Sequence, residues 1–402
     1  MLRLAAIAAL LSIATGCAGD YVARTRGVRA AYEQQDYPRA LGELKALDRD
    51  GSEKDRLLVL LDRGMVLHSA GKWAESIAVL AEADRLAAQL DAVSVTEEAG
   101  AFLSNERQRA YRGEDFERLM ISVLQALNYL ELGQDEGALV EVRRVNERLR
   151  KMVAEEKKPY SQLAIARYLG GVIYEDQREW DSAFIDYAKA LELAPGLDAS
   201  LAEPVLRLAK KTGRDDAYRE LSQKYPGLAV EALGPGEGQV VVVVEAGRSP
   251  EKESSDRNDN QLGIVKVPVY RDRGSVPFVQ VTLGGQTRRA LEVTSLARVA
   301  QVHLQDRVGR MLLKQVAGAA VKAGVAATAG AVTNSRELGL LAFFLLNLGN
   351  AADLRSWLSL PAEFQLARFR VPAGVHSLRV GSLERTVEVK PGRIAVVVTR
   401  QH

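Results

Sequence analysis

The sequence contains almost no cysteine, because Cys17 is the only one in 402 residues. A chain with a single thiol cannot form an internal disulfide, so its stability must come from packed cores. The four histidines do not have the spacing of metal ligands. The sequence also lacks a Gly-x-Ser-x-Gly elbow, a phosphate-binding loop and a dinucleotide fingerprint. We therefore expect no enzyme, no metal site and no cofactor.

The chain also lacks an excess of charge of one sign, because it has 54 Lys and Arg residues and 52 Asp and Glu residues. This balance argues against nucleic acid as a partner. Hydrophobic residues make up 47% of the chain and charged residues 26%, which is typical of a globular protein and not of a disordered one.

Apolar runs long enough to span a bilayer, about 20 residues, are not found. The most apolar part is a helical segment at 312–348, which Lys314, Lys322, Arg336 and Glu337 interrupt. We expect this segment to pack on the sheet or in the groove of the helical repeat described below. Insertion into a membrane or contact with a partner remains the alternative.

The N-terminus has the pattern of a cleaved signal peptide. Arg3 supplies a positive charge, Leu4–Ala14 form a short apolar run, and small residues follow. Residues 14–17, Ala-Thr-Gly-Cys, resemble the lipobox of bacterial lipoproteins. That resemblance implies removal of residues 1–16 and acylation of Cys17 with a diacylglycerol and a further chain such as palmitate. An ordinary secretory peptide with an accidental cysteine is the alternative.

The residue after the cysteine helps to decide whether such a lipoprotein stays in the inner membrane or moves to the outer membrane. Ala18 is not the Asp that resembles an inner-membrane retention signal. We therefore expect an outer-membrane protein that faces the periplasm and is held by the lipid on Cys17. Several acyl chains anchor a protein stably, whereas one chain binds only marginally.

Residues 17–228 are predicted to form an all-α helical repeat domain. Four segments share a pattern of small and aromatic residues that is similar to the tetratricopeptide (TPR) signature, and a partial fifth occupies 199–224. The turn positions of the four copies are Tyr37, Trp73, Asp135 and Trp180. Extra sequence enters near 88–115 and 151–162. A generic helical bundle is the alternative, because amphipathic periodicity alone does not exclude it.

The first helix of each repeat places apolar side chains on the concave face, where a peptide-binding groove would carry Lys, Arg and Asn. An exposed apolar surface of that size would be an aggregation liability. We expect it to be covered by later segments of the chain or by an apolar partner helix. The residues are Leu58, Leu61, Met65, His68, Met120, Val123, Leu127, Leu130, Ile165, Tyr168, Val172 and Glu175.

The C-terminal half is predicted to be a mixed α/β domain at 239–402, which follows a Gly- and Pro-rich linker at 229–238. The whole chain is thus an α+β multidomain protein. Strand patterns alternate with a polar loop at 247–260 and a long helix at 296–325, and the β tail at 363–400 resembles a small β-sandwich. The strands are predicted at 239–244, 263–270, 276–283, 287–293, 363–370, 375–380, 384–389 and 393–399.

Three clusters contain more polar and aromatic residues than a spacer needs, and they are candidate contacts for another molecule. The alternative is internal: Asp115 or Asp353 pairs with an arginine, and the aromatic residues close a domain junction. Rigid loops with cations and Trp–Arg pairs are common at interfaces. The candidates are Tyr111, Arg112, Asp115 and Phe116, then Arg248 and Lys252, then Asp353, Arg355 and Trp357.

Three motifs of this chain resemble those of a largely uncharacterised family of proteobacterial TPR outer-membrane lipoproteins. They are the run Tyr111–Glu117, the stretch Ala138–Asn146 and the pattern Asp-x-Arg-x-Trp-x-x-Leu-Pro at 353–361. The resemblance implies a protein of the cell envelope and not a reaction. From the lipid anchor and the helical repeat we expect a membrane-anchored periplasmic adaptor that binds envelope proteins in a cell-envelope assembly. Cell-wall synthesis or its regulation is one candidate process. An export or surface-assembly machine, or a protein that binds or hydrolyses cell-wall glycan (peptidoglycan), are the alternatives.

Overall fold

The computed structural model describes residues 21–49, 53–97, 110–154, 163–194, 199–228, 230, 232–257, 265–271, 276–308 and 353–402. The signal peptide, Cys17, the predicted helix beyond residue 308 and the apolar segment 312–348 lie outside the described residues. The described chain combines an N-terminal helical region with C-terminal strands.

Helices that pack in series form the N-terminal region. A short 3₁₀ turn at Glu53–Asp55 precedes the fourth helix. The helices are α1 Tyr21–Arg24, α2 Arg26–Glu33, α3 Tyr37–Arg49, α4 Arg56–Ser69, α5 Trp73–Glu97, α6 Asp115–Glu131, α7 Asp135–Ala154, α8 Ala164–Asp176, α9 Trp180–Leu193, α10 Ala199–Lys211 and α11 Asp215–Lys224.

Each predicted turn position is the first residue of a second helix: Tyr37 begins α3, Trp73 begins α5, Asp135 begins α7 and Trp180 begins α9. Short turns join these helices to α2, α4, α6 and α8, and each pair packs side by side. The partial fifth copy is the pair α10–α11. The helical pairs predicted from the repeat pattern are therefore confirmed.

Glycine at the helix contacts explains part of the repeat pattern. A Cβ atom at Gly171 of α8 would lie 2.6 Å from the ring of Tyr187 in α9. At Gly64 of α4 it would lie 2.5 Å from a methyl group of Leu80 in α5. The large side chain of one helix thus fills the space that the glycine of the other leaves.

Two four-stranded sheets and one two-stranded sheet make up the C-terminal half. The first sheet has the order β10-β1-β7-β6, the second has the order β5-β4-β8-β9, and β2 pairs with β3. β1 is parallel to β10 and antiparallel to β7. The strands are β1 Glu237–Ala246, β2 Lys252–Arg257, β3 Val265–Tyr270, β4 Gln280–Leu283, β5 Gln286–Arg289, β6 Leu291–Ser295, β7 Glu363–Pro372, β8 Gly374–Val380, β9 Leu383–Val389 and β10 Ile394–Gln401, with helix α12 at residues 296–308.

The first sheet is buried on both faces. Val241 and Val243 of β1 join the core of the helical region, whereas Val240, Val242 and Val244 face the second sheet. A strand covered on both sides needs apolar residues at every position, which accounts for the uninterrupted valine run. The architecture is therefore three layers: helices, first sheet and second sheet.

The apolar concave face is covered by the chain's own later segments, as one of the two expectations from the sequence states. Leu58, Met120 and Ile165 belong to one core with Val241, Leu366 and Val398 of the first sheet. Eleven of the twelve predicted concave residues are buried; Leu130 is partly buried against the same core. The groove is thus filled from within.

The first sheet ends at β10 against two carboxylates of the helical region. Asp176 at the end of α8 accepts from the backbone N–H of Ile394 at 2.7 Å. Glu131 at the end of α6 accepts from the N–H of Val398 at 2.6 Å. These carboxylates satisfy edge groups that would otherwise be open to strand pairing with another chain.

Some predictions for the C-terminal half are wrong. The predicted polar loop 247–260 contains β2, because the charged residues of Lys252–Arg257 gain a partner in β3. The predicted strand 287–293 is two strands, β5 and β6, and the one predicted at 276–283 starts only at Gln280. The β tail is not a sandwich by itself: β7 and β10 belong to the first sheet and β8 and β9 to the second.

Among the described residues, none of the helices combines the length and the apolar character needed to cross a bilayer.

Candidate functional site

All the sequence-predicted interaction residues except Arg248 meet where the start of α6, the strand β2 and the segment 353–361 come together. We call this region the junction cluster. Its buried members from the sequence prediction are Tyr111, Phe116, Lys252, Asp353, Arg355 and Trp357. Arg112 and Asp115 are half-buried beside them. Arg248 is exposed and lies elsewhere, paired with Glu33 of α2 at 3.0 Å.

Glu117 holds the start of α6 together. Its Oε2 accepts from the backbone N–H of Glu114 at 2.9 Å, which satisfies a free donor at the helix N-terminus. The same oxygen accepts from the hydroxyl of Tyr111 at 2.5 Å. Its Oε1 accepts from the backbone N–H of Trp357 at 2.6 Å. One carboxyl group therefore fixes both the helix cap and a segment that follows it 240 residues later in the chain.

Glu114 is the second buried carboxylate of the cluster, and it takes two cations. Lys252 and Arg307 both bind its Oε1, the latter at 2.5 Å, and Lys252 also donates to the carbonyl oxygen of Arg355 at 2.9 Å. Burial alone would raise the pKa of Glu114, but Arg307 and Lys252 lower it to about 2. Burial raises the pKa of Glu117 to about 7 against the influence of Lys252, and the charge of Glu114 adds to the rise.

Two neighbouring carboxyl groups with separated pKa values are typical of acid–base sites. Here both oxygens of Glu117 are taken by protein donors, and its side chain is fully buried. A substrate would have no position from which to exchange a proton with it. The side chains of the junction cluster therefore serve to hold distant segments of the chain together.

Arg355 uses its guanidinium inside the molecule. It binds both oxygens of Asp353, at 2.9 and 2.8 Å, and reaches Asp55 at 3.0 Å and the carbonyl oxygen of Lys54 at 3.1 Å. Its guanidinium lies 5.3 Å from the centre of the Tyr111 ring. The indole N–H of Trp357 donates to Ser359 at 2.9 Å.

Asp353, Arg355 and Trp357 are thus buried and bonded to other parts of the chain, which is the arrangement that the internal alternative describes. The same holds for Tyr111, Phe116 and Lys252, because a buried side chain is not available to a partner while the fold is intact.

A second buried network, which the sequence did not predict, connects β7 with α8 and α9. Arg368 donates to Glu175 at 2.7 Å, to Gln239 at 2.8 Å and to the hydroxyl of Tyr187 at 2.8 Å. Burial would raise the pKa of Glu175, but Arg368 and then Arg207 lower it to about 2. The signal was present: Arg368 interrupts the apolar residues on the helix-facing side of β7.

A third network connects α4 and α6 with β1. His68 Nδ1 lies 2.6 Å from Asn128 Oδ1, and His68 Nε2 lies 3.1 Å from Glu245 Oε2. Asn128 also donates to Ser76 at 2.9 Å. Burial would lower the pKa of His68, but Glu245 and Asn128 raise it above its ordinary value. A protonated His68 donates to both partners.

A cavity of about 920 Å³ opens where the parallel strands β1 and β10 end. Burial, followed by the charges of Arg400 and Arg248, lowers the pKa of His402 in its wall to about 3. The polar lining includes Arg29, Glu33, Arg248, Arg271, Gln301 and His402. Among the described residues, no group of three or more His, Cys, Asp and Glu side chains is placed to hold a metal ion.

Comparison with known proteins adds little. No protein-family model matches the chain, and no curated protein matches it. The crystal structure of MamA protein is similar to this chain with a TM-score of 0.33 and 16% sequence identity, over 53% of this chain and 97% of that chain. At that TM-score the likeness carries no argument.

Proposed function

We propose that this chain is a lipid-anchored protein of the outer membrane that faces the periplasm and serves as an adaptor in a cell-envelope assembly, with no catalytic chemistry of its own. Cell-wall synthesis or its regulation is one candidate process for that assembly.

The observation that carries this proposal is the short distance between the anchor and the fold. Tyr21 follows Cys17 by four residues, is 2% exposed, and donates its hydroxyl to Asp62 at 2.7 Å. A fully extended chain of four residues spans about 14 Å. An acylated Cys17 would therefore hold the folded body at the membrane surface, where a high effective concentration lets weak contacts suffice.

A partner has to bind outside the groove of the repeat, since the first sheet fills it. Exposed apolar side chains mark two outer surfaces. Val140 of α7 and Ile185 of α9 are 48% and 56% exposed on the second helices of their pairs, and Val375 of β8 is 70% exposed on the second sheet. These positions, unlike Arg355 and Trp357, are accessible to another protein.

The anchor is tested by expressing the wild type and Cys17→Ala in a proteobacterial host. We expect the wild type in the outer-membrane fraction, with a mature N-terminal cysteine that carries acyl chains in mass spectra. Cys17→Ala is expected without acyl chains and outside that fraction. A wild-type protein that lacks acyl chains would contradict the anchor.

The adaptor role is tested by site-specific photocrosslinking from Ile185 and from Val375, with Arg219 of α11 as an exposed control position. We expect one of the first two positions to crosslink a defined envelope protein, and Arg219 to give no such product. Absence of a protein product at both positions, together with co-sedimentation of the purified protein with peptidoglycan, would replace the adaptor role by the glycan alternative.

A further inference from the structure

One end of the molecule gathers the residues nearest to the proposed anchor. We define the tether end as Tyr21–Arg26, Glu53–Arg56 and Tyr111–Gly113. Arg24 binds Asp55 at 3.4 Å, and the carbonyl oxygen of Lys54 accepts from the backbone N–H of Tyr111 at 2.7 Å. These contacts bring three segments that are distant in the sequence onto one surface.

The tether end carries several cations, and some of the carboxylates near them are paired with arginines within the fold. Arg24, Arg26, Lys54, Arg56 and Arg112 all belong to it. Asp55 is buried between Arg24 and Arg355. Arg56 pairs with Glu82 at 3.4 Å, and Glu53 is exposed. Arg26 and Arg56 are exposed and the other three cations are half-buried, so the accessible cations of this end outnumber its exposed carboxylate.

The opposite end of α6 is far from this surface. α6 has 17 residues, which corresponds to about 25 Å. Its first turn contacts Tyr111 through Glu117, whereas Glu131 at its last turn binds Arg385 of β9 at 3.1 and 3.2 Å. The tether end and β9 thus lie at opposite ends of one rigid helix.

We propose that the tether end lies against the phospholipid surface and that its cations bind anionic head groups, which leaves β9 facing away from the membrane. This rests on the proposed anchor at Cys17. The four-residue connection and the fixed position of Tyr21 restrict the surface that can meet the lipid, and cations near an anionic bilayer are favoured. The chain would then be held in one orientation by a lipid and by a charged contact together.

Orientation is tested with the acylated full-length mature protein in vesicles of phosphatidylethanolamine and phosphatidylglycerol that contain a head-group quencher. A fluorophore is attached through Ala23→Cys of the tether end in one sample and through Thr386→Cys of β9 in the other, and both positions are exposed. We expect strong quenching at position 23 and little at position 386. Equal quenching at the two positions would overturn the proposed orientation.

The charged contact is tested without the anchor, so that its failure is separate from a failure of acylation. The mature chain with Cys17→Ala is sedimented with vesicles that contain or lack phosphatidylglycerol. We expect salt-sensitive binding to the anionic vesicles alone. The double variant Arg26→Gln/Lys54→Gln should bind about thirtyfold more weakly, since each cation near an anionic surface contributes about a factor of five.

The matched control is Arg219→Gln/Lys224→Gln on α11, which removes the same charge elsewhere and should leave binding unchanged. Circular dichroism checks that each variant is folded. Binding that is insensitive to salt, or an equal loss in both double variants, would overturn the contact. If the charged contact fails in this way but the protein from cells carries acyl chains on Cys17, the proposed anchor stands and only the proposed contact is wrong.

Discussion

Arg368 offers a quantitative test of how the helices and the first sheet are held together. Arg368→Met removes the guanidinium and keeps most of the apolar side chain. The change leaves Glu175 buried with Arg207 at 2.6 Å, the hydroxyl of Tyr187 at 2.9 Å and the side-chain amide of Gln239 at 3.3 Å as its remaining partners. It also removes the hydrogen bond that Arg368 Nε donates to Gln239.

The magnitude follows from what stays behind. Removing one partner of a buried ion pair costs about 3–5 kcal/mol, because the other charge is left uncompensated. Since Glu175 retains Arg207, we expect the free energy of unfolding to fall by about 3 kcal/mol, at the lower limit of that range. In Arg368→Met/Glu175→Gln neither charge remains, so the double variant should lose about 2 kcal/mol less than the sum of the single changes.

The assay is equilibrium unfolding in urea of the mature chain with Cys17→Ala, followed by circular dichroism. The control is Arg379→Met, which removes the same group from an exposed pair with Glu384 and should cost less than about 1 kcal/mol. An Arg368→Met variant that unfolds at the same urea concentration as Arg379→Met would refute the reasoning.

Two further predictions concern the helix contacts and the pH dependence. Gly171→Ala should lower the free energy of unfolding by about 1–3 kcal/mol, because the new Cβ would lie 2.6 Å from the Tyr187 ring. Gly42→Ala has nothing within 4 Å of its new Cβ and should stabilise α3 by up to about 1 kcal/mol. Thermal unfolding temperatures that shift in the same direction in both variants would contradict this prediction. The raised pKa of His68 predicts that its pair with Glu245 stabilises the fold fully below pH 6.5 and that this contribution is lost as the pH rises through the raised value. Urea unfolding measured across this pH range should show that loss in the wild type and a smaller one in Glu245→Gln. The same dependence of unfolding free energy on pH in both proteins would contradict the prediction.

The helical half was largely predictable because its signals are local. Tyr37, Trp73, Asp135 and Trp180 each begin a helix, and the small residues near them fix how closely helices pack. The concave face was predictable for a different reason: its apolar residues require a cover, and the valine run of β1 is apolar enough for two buried faces.

The rest depends on contacts between distant segments, which a local pattern does not contain. β2 has the composition of a loop and becomes a strand through its pairing with β3. At the junction, sequence reasoning found Arg355 and Trp357 but not their partners Asp55 and Glu117, some 300 and 240 residues away. The buried network of Arg368 was missed because its partners lie on helices that pack against β7 and are distant in the sequence.

The pairing of β10 with β1 has a consequence for biosynthesis. Every helix of the repeat is made before β7 and β10, so the nascent helices carry an uncovered apolar groove until those strands arrive. Asp176 and Glu131 can bind the backbone of β10 only after this C-terminal strand has been synthesised. A chain cut short before residue 394 would lack β10 and keep the groove partly exposed. The cover of the groove is thus completed only by the last strand of the described chain.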